Sequence, residues 1–158
     1  MAMLTNHNLV EMCHKHNIPL VGVFSKDKLP PKRQMKRGGY IINLQDDADE
    51  YGRSLDGTHW TAFYIESNKA CYFDSFGFVP PLQVQEFLSS FKPVPYNVKT
   101  IQSIRSGVCG WYVFYFLYCM THSKKSVPLL KRYEAFLRIW NDEPLENRKI
   151  LEEKLKPI

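Results

Sequence analysis

Cysteine is scarce in this chain. Its 158 residues hold four, Cys13, Cys71, Cys109 and Cys119, and no two stand in C-x-x-C spacing. That excludes a disulfide framework and the common zinc-ligand pairings, and leaves each thiol to be judged by its surroundings. Long apolar runs are missing too. The longest, Trp111 to Met120, is about half of the roughly 20 residues that cross a bilayer as a helix, so it is expected as a buried helix and no membrane partner is expected. The first residues carry Asn6, Glu11 and several histidines where a secretory signal needs a continuous apolar stretch, so the chain is expected to act inside a cell. No repeat, linker or low-complexity stretch divides the sequence. One domain is expected over 1–158, with 122–158 as a helical extension of it. A chain of this length buries roughly 70% of its unfolded surface. Neither sign of charge dominates: 21 basic against 16 acidic residues give +5, a moderate lean toward polyanions that identifies no partner.

What is present is core-forming material, 44% hydrophobic and 14% aromatic. Leu9, Val10, Met12 and Cys13 fit one face of a helix from residue 5 or 6 to His16, which Asn17 ends in the left-handed region. Cys13, His14 and His16 look like metal ligands, but no second ligand pair lies nearby and a solvated helix end accounts for both histidines. Leu20 to Phe24 and Tyr40 to Leu44 read as strands. Between them Pro30-Pro31-Lys32-Arg33-Gln34-Met35-Lys36-Arg37-Gly38-Gly39 reads as a basic loop outside regular structure, suited to nucleic acid, to nuclear targeting or simply to water. An acidic stretch with Asp46, Asp47, Asp49 and Glu50 leads to Gly57. His59 to Ile65 and Ala70 to Asp74, joined by Glu66-Ser67-Asn68-Lys69, form a hairpin that brings His59 and Asp74 to one end of a sheet. Pro80 and Pro81 open a helix with Val84, Phe87, Leu88 and Phe91 on one face. Val98 to Gln102 reads as a strand, and Cys109 to Met120 as a helix apolar nearly all round. Pro128 and Pro144 start two amphipathic helices, the first carrying Leu130, Tyr133, Leu137 and Trp140, the second Leu145, Leu151 and Leu155. The pattern is α+β.

Three strings carry chemistry: Gly57-Thr58-His59-Trp60, Tyr72-Phe73-Asp74-Ser75-Phe76-Gly77, and Gln102 seven residues ahead of Cys109-Gly110-Trp111. In chain order they supply a base, an acid to orient it, an amide donor and a thiol at a helix start, the parts of a cysteine-nucleophile acyl-transfer site. A helix N-terminus and a neighbouring imidazolium both favour the thiolate, and only Cys109 is flanked by glycines, Gly107 and Gly110, at a loop-to-helix junction. Cys71 and Cys119 sit in apolar runs as small hydrophobes. Taken singly, each of the four is also an ordinary structural residue: His59 a satisfied histidine, Asp74 a turn former, Gln102 a polar strand residue, Cys109 a buried thiol. Trp60 reads first as a core or cleft-wall aromatic.

The order and spacing, His-Trp, then aromatic-Asp-Ser-Phe-Gly, then Gln, six residues and Cys-Gly, resemble the adenain-like (adenovirus-type) and Ulp1-type cysteine proteases, whose nucleophile comes last in the chain. Ile18 to Phe24, Gly38 to Leu44 and Gly57-Thr58-His59-Trp60 further resemble the small maturation proteases of virophages and Maverick/Polinton elements. The likeness covers about residues 4 to 122. It implies an α+β protease fold in which a central helix bearing Cys109 packs on a sheet bearing His59 and Asp74. It also implies that capsid and other virion precursors are cleaved at glycine-containing motifs during maturation, in the virion and in the nucleus or virus factory of an infected cell. On that resemblance Cys109 is the nucleophile, His59 the general base and acid, Asp74 its orienter and Gln102 the oxyanion donor, with Gly57, Trp60 and Gly110 expected at the substrate. No cofactor is required; DNA, through Lys32, Arg33, Lys36 and Arg37, or a short peptide activator are the options the resemblance adds.

Two departures matter. The adenoviral enzymes commonly have Glu at the position of Asp74, so Asp leans toward the second group, whose members remove ubiquitin or ubiquitin-like proteins from conjugates. The adenoviral enzymes are also joined by a disulfide to an activating peptide through a cysteine between acid and nucleophile, and between Ser75 and Val108 this chain has none. A catalytically idle binding module is the third reading, against which the complete set of four site residues stands.

Overall fold

The computed structural model describes residues 1–44, 59–103 and 107–158. The expected acidic stretch and Gly57 lie outside them. Among the described residues the chain forms a four-stranded mixed sheet and five α-helices, an α+β architecture.

Helix α1 (Asn6–Lys15) starts at Thr5, whose hydroxyl and main-chain N–H exchange hydrogen bonds with Asn8, a reciprocal cap. It ends before Asn17, which takes the left-handed conformation (φ 56°). Strands β1 (Leu20–Ser25), β2 (Gly38–Asn43), β3 (Trp60–Glu66) and β4 (Lys69–Phe73) lie in chain order across the sheet. The first pair is parallel; β2–β3 and β3–β4 are antiparallel.

Both faces of the sheet are covered, which is why its strands read as nearly unbroken apolar runs. Alternation sorts the side chains. Ile41, Ala62, Tyr64, Cys71 and Phe73 join the core under α3 (Cys109–His122), whereas Tyr40, Ile42, Phe63, Ile65, Ala70 and Tyr72 pack with Val84, Phe87 and Leu88 on the other side. Gly39 lets α3 approach: a Cβ there would stand 2.8 Å from Leu117. Helix α3 is buried along most of its length, as a central helix with no polar face requires.

Helices α4 (Leu129–Leu137) and α5 (Pro144–Leu155) close the first core. Arg132, buried at 3% exposure, donates to the carbonyl of Met120 near the end of α3 and pairs with Glu66 of β3. The Tyr133 hydroxyl donates to the carbonyl of Tyr72 on β4.

Four expectations change. Val98–Gln102 is not a strand: only Tyr96 bridges β4, through Tyr72, and the main-chain N–H groups of Ile101 and Gln102 both go to the carbonyl of Ser75 instead. The helix after Pro81 is two pieces, α2 (Leu82–Phe87) and a 3₁₀ turn at Ser89–Phe91. The basic segment is more ordered than a loop, with a 3₁₀ turn at Lys32–Gln34 and its two glycines opening β2. Leu145 does not face the core; it is 77% exposed.

Candidate active site

The β3–β4 hairpin brings the residue before one strand, His59, beside the residue after the other, Asp74. His59 Nε2 lies 2.6 Å from Asp74 Oδ1, with both side chains buried. The turn that follows fixes the carboxylate. Phe76 N–H donates to Asp74 Oδ1 at 2.8 Å, and Gly77 N–H donates to the Asp74 carbonyl at 2.8 Å. Gly77 adopts φ +80°, and a Cβ there would lie 2.8 Å from the Lys99 carbonyl oxygen, so the turn requires glycine on two counts. Asn97 grips the main chain of Asp74 from the other side, accepting from its N–H at 3.1 Å and donating to its carbonyl at 2.6 Å. The ring of Phe76 stacks on the His59 imidazole, centroids 4.0 Å apart and 10° from parallel, which restricts the imidazole's rotation.

Cys109 is the first residue of α3 and is 6% exposed. The main-chain N–H of Trp60 donates to its sulfur at 3.5 Å, a donor aimed where negative charge would develop. With Nε2 of His59 engaged by Asp74, Nδ1 is the nitrogen left for the thiol. It makes no well-formed hydrogen bond, yet Cys109 is close enough to act on the ring. Burial disfavours the imidazolium; the Asp74 hydrogen bond, then Cys109, then the charge of both outweigh it and lift the pKa from 6.5 to about 9. The other thiols are disabled by burial, which pushes Cys13 to about 12, Cys119 to about 11 and Cys71 higher still.

Gln102 is buried, and its Oε1 accepts from the Ser75 hydroxyl at 2.5 Å. The Ser75 carbonyl accepts from the N–H of both Ile101 and Gln102, at 2.8 and 2.9 Å. Gln102 is thereby tied to the residue next to Asp74. Helix α5 braces the same segment: Asn147 Nδ2 donates to the Ile101 carbonyl at 3.0 Å. Lys99 Nζ reaches the Trp140 carbonyl and Asp142.

His59 and Asp74 therefore meet, Cys109 adjoins them through His59 and Trp60, and Gln102 is anchored beside Asp74. Trp60 and Gly110 lie next to the thiol, but both are covered by Leu4: Trp60 Nε1 donates to the Leu4 carbonyl at 3.2 Å, and a Cβ on Gly110 would lie 3.0 Å from Leu4 Cβ. Ser75, Phe76, Asn97 and Asn147 escaped the sequence reading. The first two stand inside the quoted Asp-Ser-Phe-Gly string, so their signal was present; the two asparagines act from distant segments and leave no local pattern. The apolar groove of about 560 Å³ between Val79 and Tyr96 includes none of these residues.

Among the described residues no group of three or more His, Cys, Asp or Glu side chains could hold a metal ion, and no helix is long and apolar enough to cross a membrane. In the basic segment Lys32 pairs with Glu86 and Arg37 with Glu66. No protein-family model and no curated protein matches the chain.

Proposed function

We propose that this chain is a cysteine endopeptidase with the adenain-like fold. The observation that carries the reading is the His59–Asp74 contact of 2.6 Å, with the imidazole pKa raised, against its burial, by Asp74 first and by the adjoining Cys109. A buried carboxylate that fixes and charges an imidazole beside a thiol at a helix start is the working arrangement of thiol acyl transfer.

In the proposed reaction Cys109 reacts as the thiolate paired with the His59 imidazolium, and the sulfur attacks the scissile carbonyl carbon. The carbonyl electron pair moves to oxygen, where the Gln102 amide donates a hydrogen bond. Collapse of this adduct breaks the C–N bond, and the imidazolium gives its proton to the departing amine. Water, deprotonated by the now neutral His59, then attacks the thioester; the sulfur leaves as thiolate, the acid departs and the thiolate–imidazolium pair is restored. Asp74 holds Nε2 throughout.

The proposed substrates are capsid and other virion precursors, cleaved in the particle or virus factory at glycine-containing motifs. Support for this part is the order and spacing of the three strings. DNA contact through Lys32, Arg33, Lys36 and Arg37 belongs to the same proposal; exposed pairs such as Lys32–Glu86 are worth little and leave the loop able to exchange partners. Asp at position 74 favours a second reading, removal of a ubiquitin-like protein from its conjugates. Incubation with a co-encoded capsid precursor and, in parallel, with ubiquitin-family vinyl sulfone probes separates the two. Precursor cleavage abolished by Cys109→Ala is the expected result; probe labelling without precursor cleavage favours the second reading, and cleavage retained by Cys109→Ala removes the nucleophile assignment.

A further inference from the structure

Residues 2–4 cross the candidate site as a bound peptide would. The Ala2 carbonyl accepts from Trp111 Nε1 at 2.6 Å and the Leu4 carbonyl from Trp60 Nε1 at 3.2 Å. Carbonyls two residues apart point to the same side of an extended chain, so two fixed indole donors can read a main chain whatever its side chains are. The Leu4 side chain rests on Gly110, and Met3 passes Gly107, whose Cβ position would lie 3.5 Å from Met3 Cγ. Both supports of Leu4 border the nucleophile: Gly110 follows Cys109 in the chain, and Trp60 holds its sulfur through the main-chain N–H. A cavity of about 200 Å³, with Asn6, Phe24, Asn43 and Trp60 in its wall, opens beside the same indole.

We infer that the furrow between Trp60 and Trp111 receives the acyl half of a peptide substrate, and that residues 2–4 are its resident occupant, displaced when substrate enters. The inference rests on the protease reading. The occupant hides Cys109 and lowers apparent substrate affinity by the fraction of time the furrow is filled. The ligand is defined by main-chain acceptors: an extended peptide that offers carbonyls two residues apart, lying against the bare Gly110.

Alkylation of Cys109, located by peptide mapping, tests this in the full chain with two reagents: iodoacetamide, which has no peptide backbone to read, and a tripeptidyl acyloxymethyl ketone, which has. Leu4→Gly is expected to raise both rates about tenfold. Trp111→Phe keeps an aromatic face, though a smaller one, and removes the N–H donor; it is expected to lower the ketone rate relative to the iodoacetamide rate about tenfold, the scale of one lost hydrogen bond. Unchanged rates in Leu4→Gly, with the thermal transition intact, would overturn the occupant. An unchanged ratio in Trp111→Phe would overturn main-chain reading by the furrow. The protease reading fails separately, if Cys109 reacts with iodoacetamide no faster than a free thiol at pH 6 even in Leu4→Gly, where the occupant no longer covers it.

Discussion

The Ser75 hydroxyl donates to Oε1 of Gln102 at 2.5 Å, and both residues are buried. This single contact decides which end of the amide is held, so that Nε2, the donating end, is the one presented elsewhere. Ser75 is a positioning residue on this account. Ser75→Ala is expected to lower kcat about tenfold with KM nearly unchanged, less than the roughly 10²- to 10³-fold loss typical of deleting an oxyanion donor outright, here by Gln102→Ala. Steady-state kinetics of both variants and the double variant check it. The two losses should not add, because they act through one amide, and Ser75→Thr should recover most of the rate.

Asp74→Asn keeps the shape of the carboxylate and removes its charge. Since Asp74 raises the His59 pKa both through its hydrogen bond and through its charge, the alkaline limit of activity, expected near pH 9 in the unaltered chain, should move toward neutrality. The rate should fall by up to about 10⁴, the scale seen when a triad loses its orienting acid. A pH–rate profile of both proteins reads the two effects together.

The same shift makes stability depend on pH. A histidine whose pKa is higher folded than unfolded binds its proton more tightly in the folded state. It therefore stabilises fully below about pH 6.5 and loses the contribution as pH rises toward about 9. At one pKa unit per 1.36 kcal/mol the contribution is on the order of 3 kcal/mol. Urea titrations at pH 6 and pH 9.5 should show that loss in the unaltered chain and much less of it in His59→Ala.

Two supports of the site are open to stability measurements. Gly77→Ala places a Cβ at φ +80° and 2.8 Å from the Lys99 carbonyl oxygen, and is expected to cost about 1–3 kcal/mol or more. Asn147→Ala strands the Ile101 carbonyl and is expected to cost about 1–3 kcal/mol while also lowering kcat, because the same segment carries Gln102. Thermal or chemical unfolding checks both, and an unchanged kcat in Asn147→Ala would detach α5 from the site.

How far such features can be read from residues alone follows from the range of the forces involved. The hairpin from His59 to Asp74 was legible because aromatic and β-branched runs flank a short polar turn, and the strands observed begin or end within one residue of the expected bounds. Helix α3 was legible as the one segment apolar on all sides. Val98–Gln102 misled because its composition suits a strand, while its main-chain donors are claimed by Ser75. Leu145 misled because a spacing shared with Leu151 and Leu155 does not guarantee that all three meet a neighbour. In the candidate site, His59, Asp74, Gln102 and Cys109 were named from the sequence; the residues that hold them were not. Asn97, Asn147 and Leu4 reach the site from segments 23 or more residues away in sequence from the groups they bind, and only the folded chain brings them there.

The central claim is that His59 and Asp74 hold Cys109 ready to react as a thiolate. Its most direct test is the rate of iodoacetamide alkylation at Cys109 followed from pH 4 to pH 10 in the unaltered chain and in His59→Ala. The account predicts fast alkylation already at pH 6, falling to that of an ordinary thiol in His59→Ala. A profile that rises only near pH 8.5, as free cysteine does, and is the same in both proteins would contradict it.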